Sequence, residues 1–177
     1  MEWNDIYDAQ RRLTGRLHQR GTAWGPGEYG LVVCVWVLDG KGRILLTQRA
    51  QEKSFPGTWE NSGGAAKAGE DSLTAIQREL LEETGIRAEK EEFHLLRSVM
   101  EHDTFFDHYW IWKDIPLRQI VLLPGETVEA QWATFDKVHA LIRKGKICRI
   151  IARQFMQEEA TLRQCSSTCG GNFSAPV

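Results

Sequence analysis

The stretch from Gly64 to Ile86 constrains this chain more than any other. It opens as a Gly/Ala loop, Gly64-Ala65-Ala66-Lys67-Ala68-Gly69, and passes into a segment with helical spacing. Asp71 or Ser72 can cap the start, and Gly85 suits the left-handed residue that closes a helix. Leu73, Ile76 and Leu80 fall on one stripe and should face a core. Glu79, Glu82 and Glu83, at i, i+3 and i+4, share the neighbouring face. Carboxylates so placed repel one another, and in the last turns they also oppose the helix dipole. A sequence selected for stability alone avoids this conflict, so the pattern marks a site, and a bound cation is its simplest relief.

Gly64, Glu70, Arg78, Glu79, Leu80, Glu82, Glu83, Gly85 and Ile86 fill every fixed position of a spaced pattern. That pattern resembles the Nudix box, the signature of the Nudix hydrolases. The resemblance covers roughly residues 29 to 145 and implies an α+β fold, an α/β/α sandwich with a mixed β-sheet between helices. It implies hydrolysis of a diphosphate linkage, in a nucleoside diphosphate joined to another moiety or in a related diphosphate. By the same resemblance Glu79, Glu82, Glu83 and the Gly64 carbonyl hold Mg²⁺, with Mn²⁺ an alternative. Oxygen ligands of this kind suit such hard cations. Arg78 is expected to pair with a box carboxylate and fix its rotamer, and Glu70 to order the loop. In the family a Glu six residues before a Trp often adds a ligand or base. Glu126 stands six residues before Trp132 and Glu129 three before it, so Glu126 is preferred, with Glu79 the next candidate base.

The rest of the chain fits a single domain. Its 177 residues are 42% hydrophobic and include seven tryptophans, enough for a sizeable core. A net charge of −2 gives no electrostatic footprint for nucleic acid or an anionic membrane. No apolar run approaches a membrane span. The N-terminus, Met1-Glu2-Trp3-Asn4-Asp5, is acidic and unlike a signal peptide, so a cytoplasmic protein is expected. The expected partner is a small-molecule diphosphate; a homodimer is left open. Of the four cysteines, Cys34 lies in an apolar run and reads as core. Cys148 is isolated. Cys165 and Cys169 fall near the C-terminus with no second pair to complete a zinc set, so an adventitious disulfide is the better reading there.

Taken in order, residues 1–28 read as a hairpin lead-in and connector packed on the domain, 29–163 as the catalytic domain, and 164–177 as a flexible tail. Tyr29 to Leu38 is a buried strand, Asp39 to Gly42 a turn, and Arg43 to Arg49 its partner strand. Arg49 and Lys53 are placed to meet substrate phosphate, and Trp59 to pack. Phe93 to Glu101 reads as a strand. Phe106 to Trp112 alternates as a strand with one face in the core, the other free to line a pocket; Phe106 and His108 are candidate substrate contacts. Leu117 to Leu123 and Ala130 to Thr134 read as strands. Asp136 should cap a helix ended by Gly145, and a last helix should run from Cys148 to Leu162 with Ile151, Phe155 and Met156 inward.

Two other readings compete. Tyr29 to Val37 and Trp59-Glu60-Asn61-Ser62 are similar to isopentenyl diphosphate isomerase. That enzyme needs a catalytic Cys and histidine metal ligands, and here the turn reads Ser62-Gly63-Gly64-Ala65, with Gly30 where a histidine is expected. A non-catalytic ligand sensor on the same fold is opposed by the intact glutamate set.

Overall fold

The computed structural model describes residues 2–167. Strands β1 (Trp3–Tyr7) and β2 (Leu13–Gln19) form the expected hairpin. The main sheet contains β3 (Gly30–Leu38), β4 (Arg43–Arg49), β5 (Trp59–Glu60), β6 (Ser62–Ala65), β7 (His94–Glu101), β8 (Thr104–Trp112) and β9 (Thr127–Thr134). Its order is β5-β4-β3-β8-β7, with β6 also pairing β3 and β9 also pairing β4. β3 and β8 run parallel, and the other pairs are antiparallel. The helices are α1 (Ser72–Thr84), α2 (Phe135–Arg143) and α3 (Arg149–Ser167).

Side-chain alternation along the strands sorts the core into two layers. Val33, Val35, Val37 and Leu45 pack with Ile76 and Leu80 of α1. Trp36, Leu38, Ile44 and Leu46 pack on the other face with Val138 of α2 and Phe155 and Leu162 of α3. This is the expected sandwich. Ile76 and Leu80 are fully buried, each contributing about 1.5–3 kcal/mol of hydrophobic stabilisation. The α1 ends also follow expectation. The Asp71 carboxylate accepts from the Thr74 amide at 2.7 Å, and Gly85 closes the helix at φ 72°. Among the described residues no helix is long and apolar enough to cross a membrane.

The hairpin is fastened to this frame. Tyr7 and Tyr29 exchange backbone hydrogen bonds of 2.9 and 3.0 Å. Asn4 Nδ2 donates to the Ala66 carbonyl at 2.6 Å, and the Gly69 amide donates to Asp5 at 2.7 Å. Arg11 forks onto the buried Asp107, with Nη1 2.8 Å from Oδ1 and Nη2 on Oδ2. Asp107 also accepts from Ser98 and from Ser72, the first residue of α1.

Several expectations need correction. Leu117–Gln119 is a turn of 3₁₀ helix, and the segment to Leu123 joins no sheet. Its Val121 amide instead donates to the Thr84 carbonyl at the end of α1. Gly64 and Ala65 belong to β6, not to a loop. The α2 cap is Thr134, which accepts from the Lys137 amide, so Asp136 sits inside the first turn. α3 runs on to Ser167, past the expected tail boundary, and Cys165 is buried in the core rather than exposed; Cys169 lies outside the described residues. Met156 is 56% exposed. The inward stripe of α3 includes the polar Gln154 and Glu158, because Glu158 accepts from Trp36 Nε1 at 2.7 Å.

Gly63 presses on β3 where a Cβ would overlap the Val33 carbonyl and stand 2.7 Å from Cys34 Cα. Backbone cannot yield as a side chain can, so Gly63→Ala should cost about 1–3 kcal/mol by overpacking. Urea unfolding measures this, and an unchanged midpoint would contradict the close approach.

Candidate active site

β6 and α1 bring the box together. Gly64 pairs opposite Val33 on the edge of β3, and a Cβ there would overlap the Glu79 carboxylate. A side chain at 64 would have to displace that carboxylate. Arg78 binds across the gap. Its Nε and Nη2 donate to the two Glu70 oxygens at 2.6 and 2.8 Å. Nη1 donates to Glu79 at 2.8 Å and to Glu82 at 3.1 Å, and Nη2 reaches the Ala65 carbonyl at 3.2 Å. A planar guanidinium has five N–H groups in a fixed fork, so all of them find acceptors here. The expected pairing with a box carboxylate is present, and Glu70 does order the loop, accepting also from the Lys67 amide at 2.9 Å.

Glu83 is only 3% exposed, whereas Glu82 beside it is exposed. Its carboxylate accepts from the Gly63 amide at 3.2 Å. Burial, then the Glu60 charge, pushes its pKa up to about 8. Burial likewise raises Glu79, against the pull of Arg78. Glu60 from β5 is buried beside them; its carboxyl is raised by burial despite Lys53 and Arg49. Arg49, at the end of β4, pairs with Glu60 and donates to Ser54 Oγ at 3.0 Å.

Lys53 stands among these anions. Its Nζ lies 2.7 Å from Glu126, 3.5 Å from Glu83 and 3.7 Å from Glu60. Burial would lower its pKa, but the Glu126 hydrogen bond and the Glu60 and Glu83 charges raise it. An ammonium thus occupies a place where acidic groups from three separate segments converge, a tethered stand-in for a free cation. Glu60 Oε1 is buried and accepts no hydrogen bond. The donor set is all oxygen, as Mg²⁺ or Mn²⁺ requires. Among the described residues no three acidic, His or Cys side chains already close around one point. The box carboxylates are held by Arg78 and Lys53 instead. The residues fit a divalent ion in kind and charge.

A cavity of about 440 Å³ collects Arg49, Lys53, Gly64, Arg78, Glu79, Glu82, Glu83 and Glu126. Glu129 faces Gln48 across β4 and β9, away from that lining. Phe106 and His108 are not brought to it. Phe106 lines a separate cavity with Arg149 and Arg153. His108 is 1% exposed, with Nδ1 2.7 Å from Glu158 of α3. Strand alternation turns both toward the α3 side of the sheet, opposite α1. Sequence reasoning gave no site role to Glu60, Lys67, Glu2 or Arg20. Glu60 carried a signal, a charge directly after the packing residue Trp59; Glu2 and Arg20 carried none, since only the fold brings the hairpin beside α1.

Known proteins resemble this chain in sequence and in fold. A NUDIX domain model matches residues 28–154. An uncharacterized Nudix hydrolase of Listeria monocytogenes is 33% identical over 147 residues, 82% of this chain and 86% of that protein. An isopentenyl-diphosphate Delta-isomerase of Pectobacterium atrosepticum is 26% identical over 142 residues, covering 75% of this chain and 76% of its own. Among solved structures, a Deinococcus radiodurans protein superimposes with a TM-score of 0.72 at 20% identity, covering 89% of this chain and 99% of that one. With a domain match across most of its length and a box whose geometry is intact, the chain belongs to the Nudix hydrolase family.

Proposed function

We propose that this chain hydrolyses a diphosphate linkage with a divalent ion, Mg²⁺ or alternatively Mn²⁺, held by Glu79, Glu82, Glu83 and the Gly64 carbonyl. The observation that carries the reading is the convergence of those carboxylates with Arg49, Lys53 and Glu126 on one cavity. Buried anions with raised pKa values favour a strong local cation, and a diphosphate brings the negative charge that balances the rest. When bound, the ion supplies charge neutralisation at the phosphates and a more acidic water. The chain's own groups do the remaining work. Arg78 keeps Glu79 and Glu82 in fixed rotamers, so little reorganisation is needed at the moment of reaction. Arg49 and Lys53 meet phosphate oxygens once Lys53 leaves its carboxylate partners. Glu126, next to Gly125 in the loop before β9, either takes the proton from the attacking water as base or serves as an added ligand.

The isomerase reading loses ground on two points. Position 30 is a glycine with Trp24 packed over it, Cζ2 2.6 Å from where a Cβ would stand, so it supplies no histidine ligand. Cys34 is buried, and burial drives its thiol far above the usual range; it is no nucleophile.

With Mg²⁺ and a panel of nucleoside triphosphates, sugar nucleotides, dinucleoside polyphosphates and prenyl diphosphates, wild type should release a phosphate or a nucleoside monophosphate. Glu82→Gln should lower kcat by at least about 10²-fold while circular dichroism stays unchanged, as expected when a fixed electrostatic network is broken. Wild-type rates in that variant would refute the assignment. Glu126→Gln should depress kcat more than it raises KM, whereas Glu129→Gln should change kcat by less than about twofold.

A second prediction concerns the metal-free protein. The folded state holds a Glu83 proton that the unfolded chain releases near pH 4.5. Glu83 therefore contributes stability below that range, and the contribution is lost as pH rises toward about 8. The melting temperature of metal-free wild type should fall more steeply across this window than that of Glu83→Gln. Parallel slopes would mean that Glu83 is not the group that titrates.

A further inference from the structure

Lys53 and Ser54, in the loop after β4, line the large cavity. No residue from Gln51 to Thr58 is buried, so this loop takes little stability from the core. Its backbone folds back on its own start, with the Gly57 amide donating to the Arg49 carbonyl at 3.0 Å and the Lys53 amide to the Ala50 carbonyl at 3.3 Å. Phe55 is exposed and sits at φ 54°, a strained conformation for a bulky side chain. Against this loose setting the Lys53 side chain turns inward and is only 18% exposed. Its three carboxylate partners come from elsewhere: Glu126 from the loop before β9, Glu83 from α1 and Glu60 from β5. One ammonium therefore ties a weakly held loop to three other parts of the site. The anions need it when no other cation is there. Glu60 Oε1 and Thr47 Oγ1, on residues directly opposite across β5 and β4, are buried and find no hydrogen-bond partner among the described residues. A buried carboxylate with no positive charge beside it is costly.

We propose, resting on the divalent-ion reading of this site, that Lys53 is an autoinhibitory latch: its ammonium and the divalent ion are alternative occupants of the cluster formed by Glu60, Glu83 and Glu126, and entry of the ion frees the loop from Gln51 to Thr58. Both cations seek the same oxygens, and either one relieves the same buried charge. The tether gives the ammonium a high effective concentration. The double charge of the metal ion gives it the stronger attraction. The latch therefore sets a threshold for occupancy. With about nine-tenths of the empty protein latched, metal affinity is weakened about tenfold. Below the threshold the chain neutralises its own carboxylates. Above it, the loop is released and the Lys53 ammonium becomes free for another partner.

Amine labelling of wild type reads the release directly. Metal-free full chain is acetylated briefly with and without Mn²⁺, with no substrate present, and each lysine is followed by mass spectrometry. Mn²⁺ should speed acetylation of Lys53 by at least about fivefold, close to the gain available when so large a latched fraction is released. The exposed Lys144 should not respond. Calorimetry then compares Mn²⁺ binding to variants. Lys53→Met should bind Mn²⁺ about tenfold more tightly than wild type. Lys67→Met removes a partly exposed ammonium 3.7 Å from Glu82 that is no part of the latch. It should tighten binding by less than about threefold, because solvent screens such a charge. If Lys53→Met does not fold, the labelling of wild type decides. Mn²⁺ that binds wild type while Lys53 stays shielded overturns the latch and leaves the metal site standing, and so does a Lys53→Met no tighter than Lys67→Met. Mn²⁺ that binds neither wild type nor Lys53→Met overturns the metal reading itself, and the latch with it.

Discussion

The guanidinium of Arg78 is the interaction on which the site depends. It joins the loop (Glu70), the strand (the Ala65 carbonyl) and the helix (Glu79 and Glu82) through one rigid plane. Without it, two carboxylates near the C-terminal end of α1 would face each other and the helix dipole with no compensation. Lysine cannot replace it, because a single ammonium has neither the reach nor the fork. The glycines of β6 serve the same junction, since a side chain at Gly64 would push Glu79 out of Arg78's plane.

The remaining charges follow from burial. Glu60 and Glu83 lie where a lone anion is costly, and the chain answers with Arg49 and Lys53. Such an arrangement is poor engineering for stability alone. It becomes economical if the pocket is meant to exchange one set of positive charges for another as ligands arrive. The two hydrophobic layers on either side of the sheet carry the stability that lets the centre remain electrostatically strained.

Much of this was legible in the sequence, and the reasons differ by residue. α1 was readable because its period, its cap and its terminal glycine all agree locally. β3 was readable because a strand buried on both faces is apolar throughout, β4 because it follows a turn with Ile44-Leu45-Leu46 at its heart, and β8 because its residues alternate. The 117–123 segment misled because its apolar residues look like a strand, while its backbone partner, the Thr84 carbonyl, is distant in sequence. α3 misled because a buried glutamate serving Trp36 breaks the apolar stripe. His108 looked available because sequence does not say which face of β8 meets α3. The spacing of Glu79, Glu82 and Glu83 was legible, but the buried Glu60 was not, nor the closeness of Lys53 to three acidic groups, which depends on how the 50–58 loop returns.

The link from Arg11 through Asp107 to Ser72 sets how this chain can be divided. Asp107 is buried, and burial alone would raise its pKa; Arg11, Ser72 and Ser98 instead hold it below the ordinary carboxylate range. A truncation that begins at the family boundary would strip the guanidinium from a charge in the interior. The hairpin lies ahead of the matched domain model, yet by charge it belongs to the interior that the model covers.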